Sequence, residues 1–200
     1  MSEGERVAHR LEISRAAATL FLDRGVDATT GEDIAAVIGV SARTLRRWFP
    51  TKENCVEPLV KSSIDAFVAC LSRWPVGVSL DKHVLADYRP PATAAPGDAD
   101  LVLAIIRLSL AVPSVRAICL AAYVRAEAVL ANAVALRQRR DPSEVGVRVQ
   151  AAALAAALRI ATEDLAVDSI DMDKSWQTAT HRARLSAALD AAMAGVPIQS

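Results

Sequence analysis

Between Ser41 and Lys52 the chain carries four positive side chains, Arg43, Arg46, Arg47 and Lys52, and no acid. A guanidinium can clamp a phosphate, or pair bidentately with guanine O6 and N7. The chemistry open to such a cluster is recognition of an anionic, hydrogen-bonding polymer, and duplex DNA meets that description. An arginine-rich helix is also an ordinary solvated surface, so charge alone does not separate the two readings. What separates them is how the cluster is held.

The cluster lies in a stretch, residues 29–53, that reads TTGEDIAAVIGVSARTLRRWFPTKE. Thr30 suits an N-cap, its hydroxyl taking an orphan backbone N–H, and Asp33 three residues on favours the positive helix end. Ile34, Ala35, Val37 and Ile38 then predict an apolar stripe at helical spacing. Gly39 can take positive φ without steric cost and so suits a tight turn, plugged by Val40. Ser41 caps a second helix over 41–49 that turns Leu45 and Phe49 inward and shows Arg43, Thr44, Arg46 and Arg47 to solvent. Pro50 stops it, and Thr51 caps the next helix. Helix, glycine turn, helix is the geometry that lays a second helix in the DNA major groove.

This stretch and the helix before it resemble the N-terminal domain of the tetracycline-repressor (TetR-type) transcriptional regulators. The resemblance rests on Ile13, Ala17, Leu20, Phe21, Gly25, Thr29, Thr30, Asp33, Ile34, Ala35, Gly39, Val40, Ser41, Thr44, Leu45, Trp48, Phe49, Lys52 and Glu53, in register over about forty residues. Arg43 stands where that family often has Gly, and Arg46 where it often has a phosphate-contacting Tyr. Both departures bear on which operator is read. The resemblance implies a regulator, chiefly of repressor type, that binds a palindromic operator as a dimer and is released or modulated by a small, apolar ligand. It also implies a fourth helix linking the head to the rest, and a homodimer built on the last two helices. The alternative is a helical interaction module of the same fold that acts through a protein partner. In the DNA reading Thr30, Thr44, Trp48 and Lys52 hold phosphates, Ala42, Arg43, Arg46 and Arg47 face base edges or flanking phosphates, and Ser41 belongs to the same DNA-binding set.

Composition supports an all-α chain. Apolar residues make up 52% of the 200 residues and aromatics only 4%, so the excess is aliphatic and rich in the helix formers Ala and Leu. The expected architecture is a helix-turn-helix head over 6–51 and a regulatory, ligand-binding and dimerisation bundle over 52–200, about nine helices in all. Net charge is zero, and residues 1–60 hold eight Lys/Arg against nine Asp/Glu. DNA affinity must then come from a local patch, not from the global field. Cys55, Cys70 and Cys119 show no metal-ligand spacing and fit buried packing in a reducing cytosol. No nucleophile elbow, HExxH or phosphate-cradling glycine loop occurs. No enzyme activity, cofactor, metal or membrane partner is therefore expected, and the expected compartment is the cytoplasm.

Along the chain the first helix is expected over 6–24 after a frayed start. The fourth should begin at Lys52 and kink at Pro58. A short helix should follow over 81–88, then a loop over 89–100. Leu101–Val112 reads as a central helix, interrupted by Arg107 and too short to span a bilayer. Long helices are expected over 115–139, with Arg137, Arg139 and Arg140 as a solvated basic end, and over 142–167 with Pro142 at its first position. The last should begin near Asp171 or Asp173. Trp74, Tyr88, Arg107, Cys119, Tyr123 and Glu163 are the polar or aromatic residues on otherwise apolar segments that could line a ligand pocket.

Overall fold

A computed structural model describes residues 2–75, 77–89, 97–168 and 174–194, with side chains omitted at 174–178 and 193–194. Every regular element among the described residues is helical. They are α1 (Glu3–Arg24), α2 (Gly31–Ile38), α3 (Ala42–Trp48), a 3-10 turn (Glu53–Val56), α4 (Glu57–Ser72), α5 (Leu80–Asp87), α6 (Asp98–Ala111), α7 (Pro113–Gln138), α8 (Val145–Asp168) and α9 (Lys174–Ala194). The chain folds as two compact units. One comprises Met1–Ser62 with Ala92–Ala122, the other Ser63–Pro91 with Tyr123–Ser200. The unit that holds the head extends to Ser62 and takes in α6, and α4 contributes residues to both units.

In the first unit α1 is the brace. Its start is not frayed, because Ser2 and Glu5 form a reciprocal capping box that fixes the first turn at Glu3. Ile13, Ser14, Ala17, Ala18, Leu20 and Phe21 form its buried face. Against that face lie α2, the 3-10 turn and α6. The predicted kink at Pro58 has no place to act. The helix proper starts at Glu57, after the 3-10 turn, so Pro58 sits in the first turn, where a missing N–H removes no helical bond. The next N–H, that of Leu59, is an orphan of the same turn, and it donates to Ser14 Oγ at 3.2 Å. A buried serine of α1 thus caps α4 across 45 residues of sequence.

Arg15 joins α1 to α6 through a fork: Nε donates to Asp98 Oδ1 at 2.7 Å and Nη2 to Oδ2 at 2.8 Å. Asp98 is 1% exposed and opens α6 three residues earlier than expected. Carboxylate at a helix start favours the dipole, and the arginine neutralises what burial would otherwise penalise. Val102, Leu103, Ile105, Ile106 and Ser109 form the buried face of α6. The expected loop over 89–100 therefore keeps only Arg89 and Gly97 as described, non-helical residues, and its proline-rich middle lies outside the described residues.

In the second unit α8 packs along α9, and α5 packs on α9. Val147, Ala151, Leu154, Ala155, Leu158, Ala161 and Leu165 make the inner stripe of α8. On α9 the inner stripe is His181, Leu185 and Leu189, while Ala179 and Ala183 are exposed. Trp176 has no described side chain, and Asp171 and Asp173 lie outside the described residues. The start of α8 also moved. Asp141 Oδ1 accepts from Ser143 N at 2.7 Å, and Glu144 receives Arg140 and the Asp141 N–H, so this turn is closed by side chains. Pro142 belongs to that turn, and helix begins at Val145. By length and composition α7 and α8 could each cross a bilayer, a test that an alanine-rich bundle helix also meets, and both bury part of that surface within the protein.

Candidate nucleic-acid interface

The head assembles from short helices whose ends are all tied. Thr30 and Asp33 form a complete capping box: Asp33 N donates to Thr30 Oγ1 at 3.1 Å, and Asp33 Oδ2 accepts from Thr30 N at 2.8 Å and Oγ1 at 2.7 Å. These bonds hold the Asp33 carboxyl below the usual carboxylate range. Gly39 closes α2 with φ 74°, ψ 27°, the left-handed cap. Ser41 then caps α3, its Oγ accepting from Thr44 N at 3.1 Å and lying 2.9 Å from Thr44 Oγ1. Of the predicted α2 stripe, Ile34 and Ala35 are buried; Val37 is 62% exposed, because an eight-residue helix presents only one narrow face to α1.

Leu45 and Phe49 anchor α3 inward at 3% and 2% exposure. With those two fixed, helical spacing forces Arg43, Arg46 and Arg47 outward, and all three are exposed. Ser41 is exposed as well, while Ala42, Thr44 and Trp48 are half-buried on the flanks. Arg46 reaches Glu32 at 3.1 Å, an ion pair exposed at both ends. Such a pair contributes little in water, and a phosphate can displace it.

Two basic residues do something other than present charge. Lys52, expected to hold phosphate, points its ammonium at the carbonyls of Val26 and Thr29, at 2.6 and 2.8 Å. Those carbonyls belong to the link between α1 and α2, and Thr29 is itself buried, donating to the Gly25 carbonyl at 2.9 Å. Lys52 is thus a strut that locks the start of α2 to the chain leaving α3. Arg10, which the sequence reading passed over, donates to the Trp48 carbonyl at 3.0 Å and lies 4.3 Å over the Phe49 ring. It satisfies an orphan carbonyl at the end of α3 and suits the negative end of that helix. His9 meets the Trp48 ring edge-on at 4.8 Å. The signal for both was available: residues 9 and 10 flank the α1 stripe on the side α3 must use.

The suggested pocket residues fall in both units. Arg107 and Cys119 fold with the first unit, while Trp74, Tyr88, Tyr123 and Glu163 fold with the second. Tyr88 is fully buried, edge-on to Phe67 and His181, and burial pushes its phenol above the ordinary range. Tyr123 and Cys119 are also core. Glu163 pairs with Arg159 at 2.9 Å along α8. Trp74 lines a cavity of about 220 Å³ with Leu80, Val134, Arg137, Gln138, Gln150 and Leu154. Arg137 lies 3.5 Å over the Trp74 ring and donates to the Trp74 and Pro75 carbonyls, so it is not a solvated end charge. All three cysteines are free and buried, and burial lifts the Cys55 and Cys70 thiols to about 12. In the metal-free chain both therefore stay protonated at neutral pH.

Two capped helices meeting at a left-handed glycine, the second cationic and the pair braced by a third, define a helix-turn-helix head. Residues 13–59 match the family described as bacterial regulatory proteins, tetR family, and residues 89–196, just over half of the chain, match the MftR C-terminal domain. The chain belongs to the TetR family. Among curated proteins, the HTH-type transcriptional repressor KstR2 of Mycolicibacterium smegmatis is 40% identical over 58 residues, and that of Rhodococcus jostii 39% over 56 residues. Each alignment spans 28% of the relative's length, and 29% and 28% of this chain respectively. Two solved structures share the fold. Salmonella enterica GusR has a TM-score of 0.54 at 21% identity, covering 95% of this chain and 98% of its own. A putative TetR-family regulator from Mesorhizobium loti has 0.55 at 20%, covering 96% and 98%.

Proposed function

We propose that this protein is a dimeric transcriptional repressor that reads a palindromic operator with α3. The observation that carries the reading is the outward face of that helix, three exposed arginines and no acid, on a frame of satisfied caps. Arg43 and Arg47 are the base-edge and flanking-phosphate candidates, Arg46 exchanges Glu32 for phosphate, and Ser41, Ala42, Thr44 and Trp48 approach the backbone. Thr30 contributes through the N-terminus of α2, and Lys52 acts by holding that N-terminus in place. The TetR family is one of DNA-binding regulators rather than enzymes, and its members work in the cytoplasm.

Dimerisation is assigned to α8 and α9. The outer face of α8 exposes Val145, Val149, Ile160 and Val167, and that of α9 exposes Ala179, Ala183, Ala187 and Ala191 at four-residue spacing. Aliphatic side chains against a stripe of small ones suit close helix packing across a two-fold axis. The cavity at Trp74 is the effector candidate: an apolar floor of Leu80, Val134 and Leu154 under the donors of Arg137, Gln138 and Gln150. At about 220 Å³ it falls below the roughly 300–1,000 Å³ of a drug-sized site, so it favours a small ligand. An effector that prefers one conformation lowers operator affinity by linkage.

The test is a mobility-shift titration of the full chain on its own upstream DNA across a salt series. A retarded band whose affinity falls steeply with salt is expected. Absence of any retarded band at low salt sinks the DNA reading in favour of a protein-binding module.

A further inference from the structure

One cluster in the second unit gathers three metal-ligating side chains that the regulatory reading does not use. Cys70 on α4 and His83 and Asp87 on α5 offer a sulfur, an imidazole nitrogen and a carboxylate oxygen, all within 4.8 Å of one another. Cys70 is 0% and His83 6% exposed, with Asp87 at the rim. His83 and Asp87 are four residues apart and share a helix face, which sets Nε2 and Oδ2 3.8 Å apart. Tetrahedral zinc, with bonds of about 2.0–2.3 Å, holds its donors about 3.4–3.6 Å from each other. The His–Asp edge is already near that length, and the sulfur needs to close by about 1 Å, within the reach of a side-chain adjustment. We propose that Cys70, His83 and Asp87 bind one divalent ion of the zinc class, with the fourth position open to water or an exogenous ligand.

The donor set decides the class of ion. One thiolate, one imidazole and one carboxylate suit zinc and its neighbours, whereas calcium and magnesium take oxygen ligands. Loading exchanges weaker contacts for metal bonds. His83 Nε2 stands 2.9 Å from the Cys70 carbonyl, and Asp87 Oδ2 accepts from Arg73 Nε at 3.0 Å and Nη2 at 2.8 Å. On binding, the Cys70 thiol proton goes to solvent and the sulfur–metal bond forms. In the empty site the imidazole proton sits on Nε2, which donates to the Cys70 carbonyl; on loading, that proton is exchanged through solvent for one on Nδ1, and the freed Nε2 lone pair goes to the ion. Arg73, 54% exposed, can turn its guanidinium to water. The bound ion staples the last turns of α4 to α5.

Spectroscopy on the full-length protein tests this. After chelator treatment the chain is titrated with Co²⁺ and the near-ultraviolet thiolate-to-cobalt band is followed, then displaced by Zn²⁺. One cobalt per chain and displacement by one zinc are expected. Cys70→Ser loses the band, while the double variant Cys55→Ser, Cys119→Ser keeps it. Arg73→Gln raises the affinity, because it frees the carboxylate. Should Cys70→Ser fail to fold by circular dichroism, His83→Gln stands in, with zinc affinity down by more than about tenfold. No band in the parent chain, a band that survives Cys70→Ser, or unchanged affinity in His83→Gln overturns the site.

Discussion

Arg43 carries the sharpest prediction at the scale of single residues. It is exposed at the start of a capped helix, with no acid on α3 to neutralise it. Arg43→Ala should weaken operator binding by about 1–3 kcal/mol and leave binding to random DNA nearly intact. Competition assays with the two DNAs measure the difference, and equal losses would remove Arg43 from base reading. His181 gives a prediction of another kind. It is 2% exposed, and burial, reinforced by the positive charge of Arg184, depresses its pKa to about 4. Unfolded, the same imidazole titrates near 6.5, so below that pH the unfolded chain takes up a proton that the folded chain refuses. Stability should be insensitive to this group above pH 6.5 and fall by on the order of 3 kcal/mol towards pH 4. Urea midpoints for wild type and His181→Gln across that window check it: the variant should show a flatter profile, and parallel profiles would clear His181 of the effect.

At the scale of elements, the turn between α2 and α3 and the fork between α1 and α6 are the places to press. Gly39 has φ 74°, and an added Cβ would meet nothing within 4 Å. Gly39→Ala should therefore cost only backbone strain, about 1–2 kcal/mol, read from chemical denaturation. A cost near zero would mean that the turn relaxes to another conformation. Arg15→Met removes one half of a pair whose other half, Asp98, is 1% exposed. A buried carboxylate that loses its guanidinium is costly, but Arg15 is 26% exposed, so the expected loss is about 2–4 kcal/mol rather than the 3–5 of a fully buried pair. A loss under about 1 kcal/mol, as for a surface pair, would show that solvent screens the fork.

At the scale of the whole molecule, the proposed dimer rests on the exposed aliphatic face of α8 and the exposed alanines of α9. Val149 is 62% exposed on a stripe with Val145, Ile160 and Val167. A charge there is harmless on a free surface and costly in an interface. Val149→Asp should shift the chain to monomer in sedimentation and lower operator affinity in parallel, because two heads spaced about 34–36 Å apart bind together only as a dimer. Unchanged sedimentation would move the interface elsewhere.

The all-α class, the helix-turn-helix head and the outward arginines were legible in the sequence because each rests on local physics. Helical spacing, an N-cap hydroxyl and a glycine turn act over a few residues, and Leu45 and Phe49 dictate where Arg43, Arg46 and Arg47 must point. Contacts across the chain were not legible. Lys52 read as a phosphate ligand, yet its ammonium found two carbonyls of a distant link, which only the placement of α1 against α2 brings within reach. Ser14 capping Leu59, Arg10 capping Trp48 and the Arg15–Asp98 fork likewise pair residues tens of positions apart. Pro58 and Pro142 misled for a related reason: a proline's meaning depends on where the helix starts, and neighbouring side chains fixed that start. The Cys70, His83 and Asp87 cluster has no motif spacing, since one donor comes from α4 and two from α5. Sequence alone determined the periodicities and the caps; tertiary packing decided which charges are displayed, which are braces, and which donors meet.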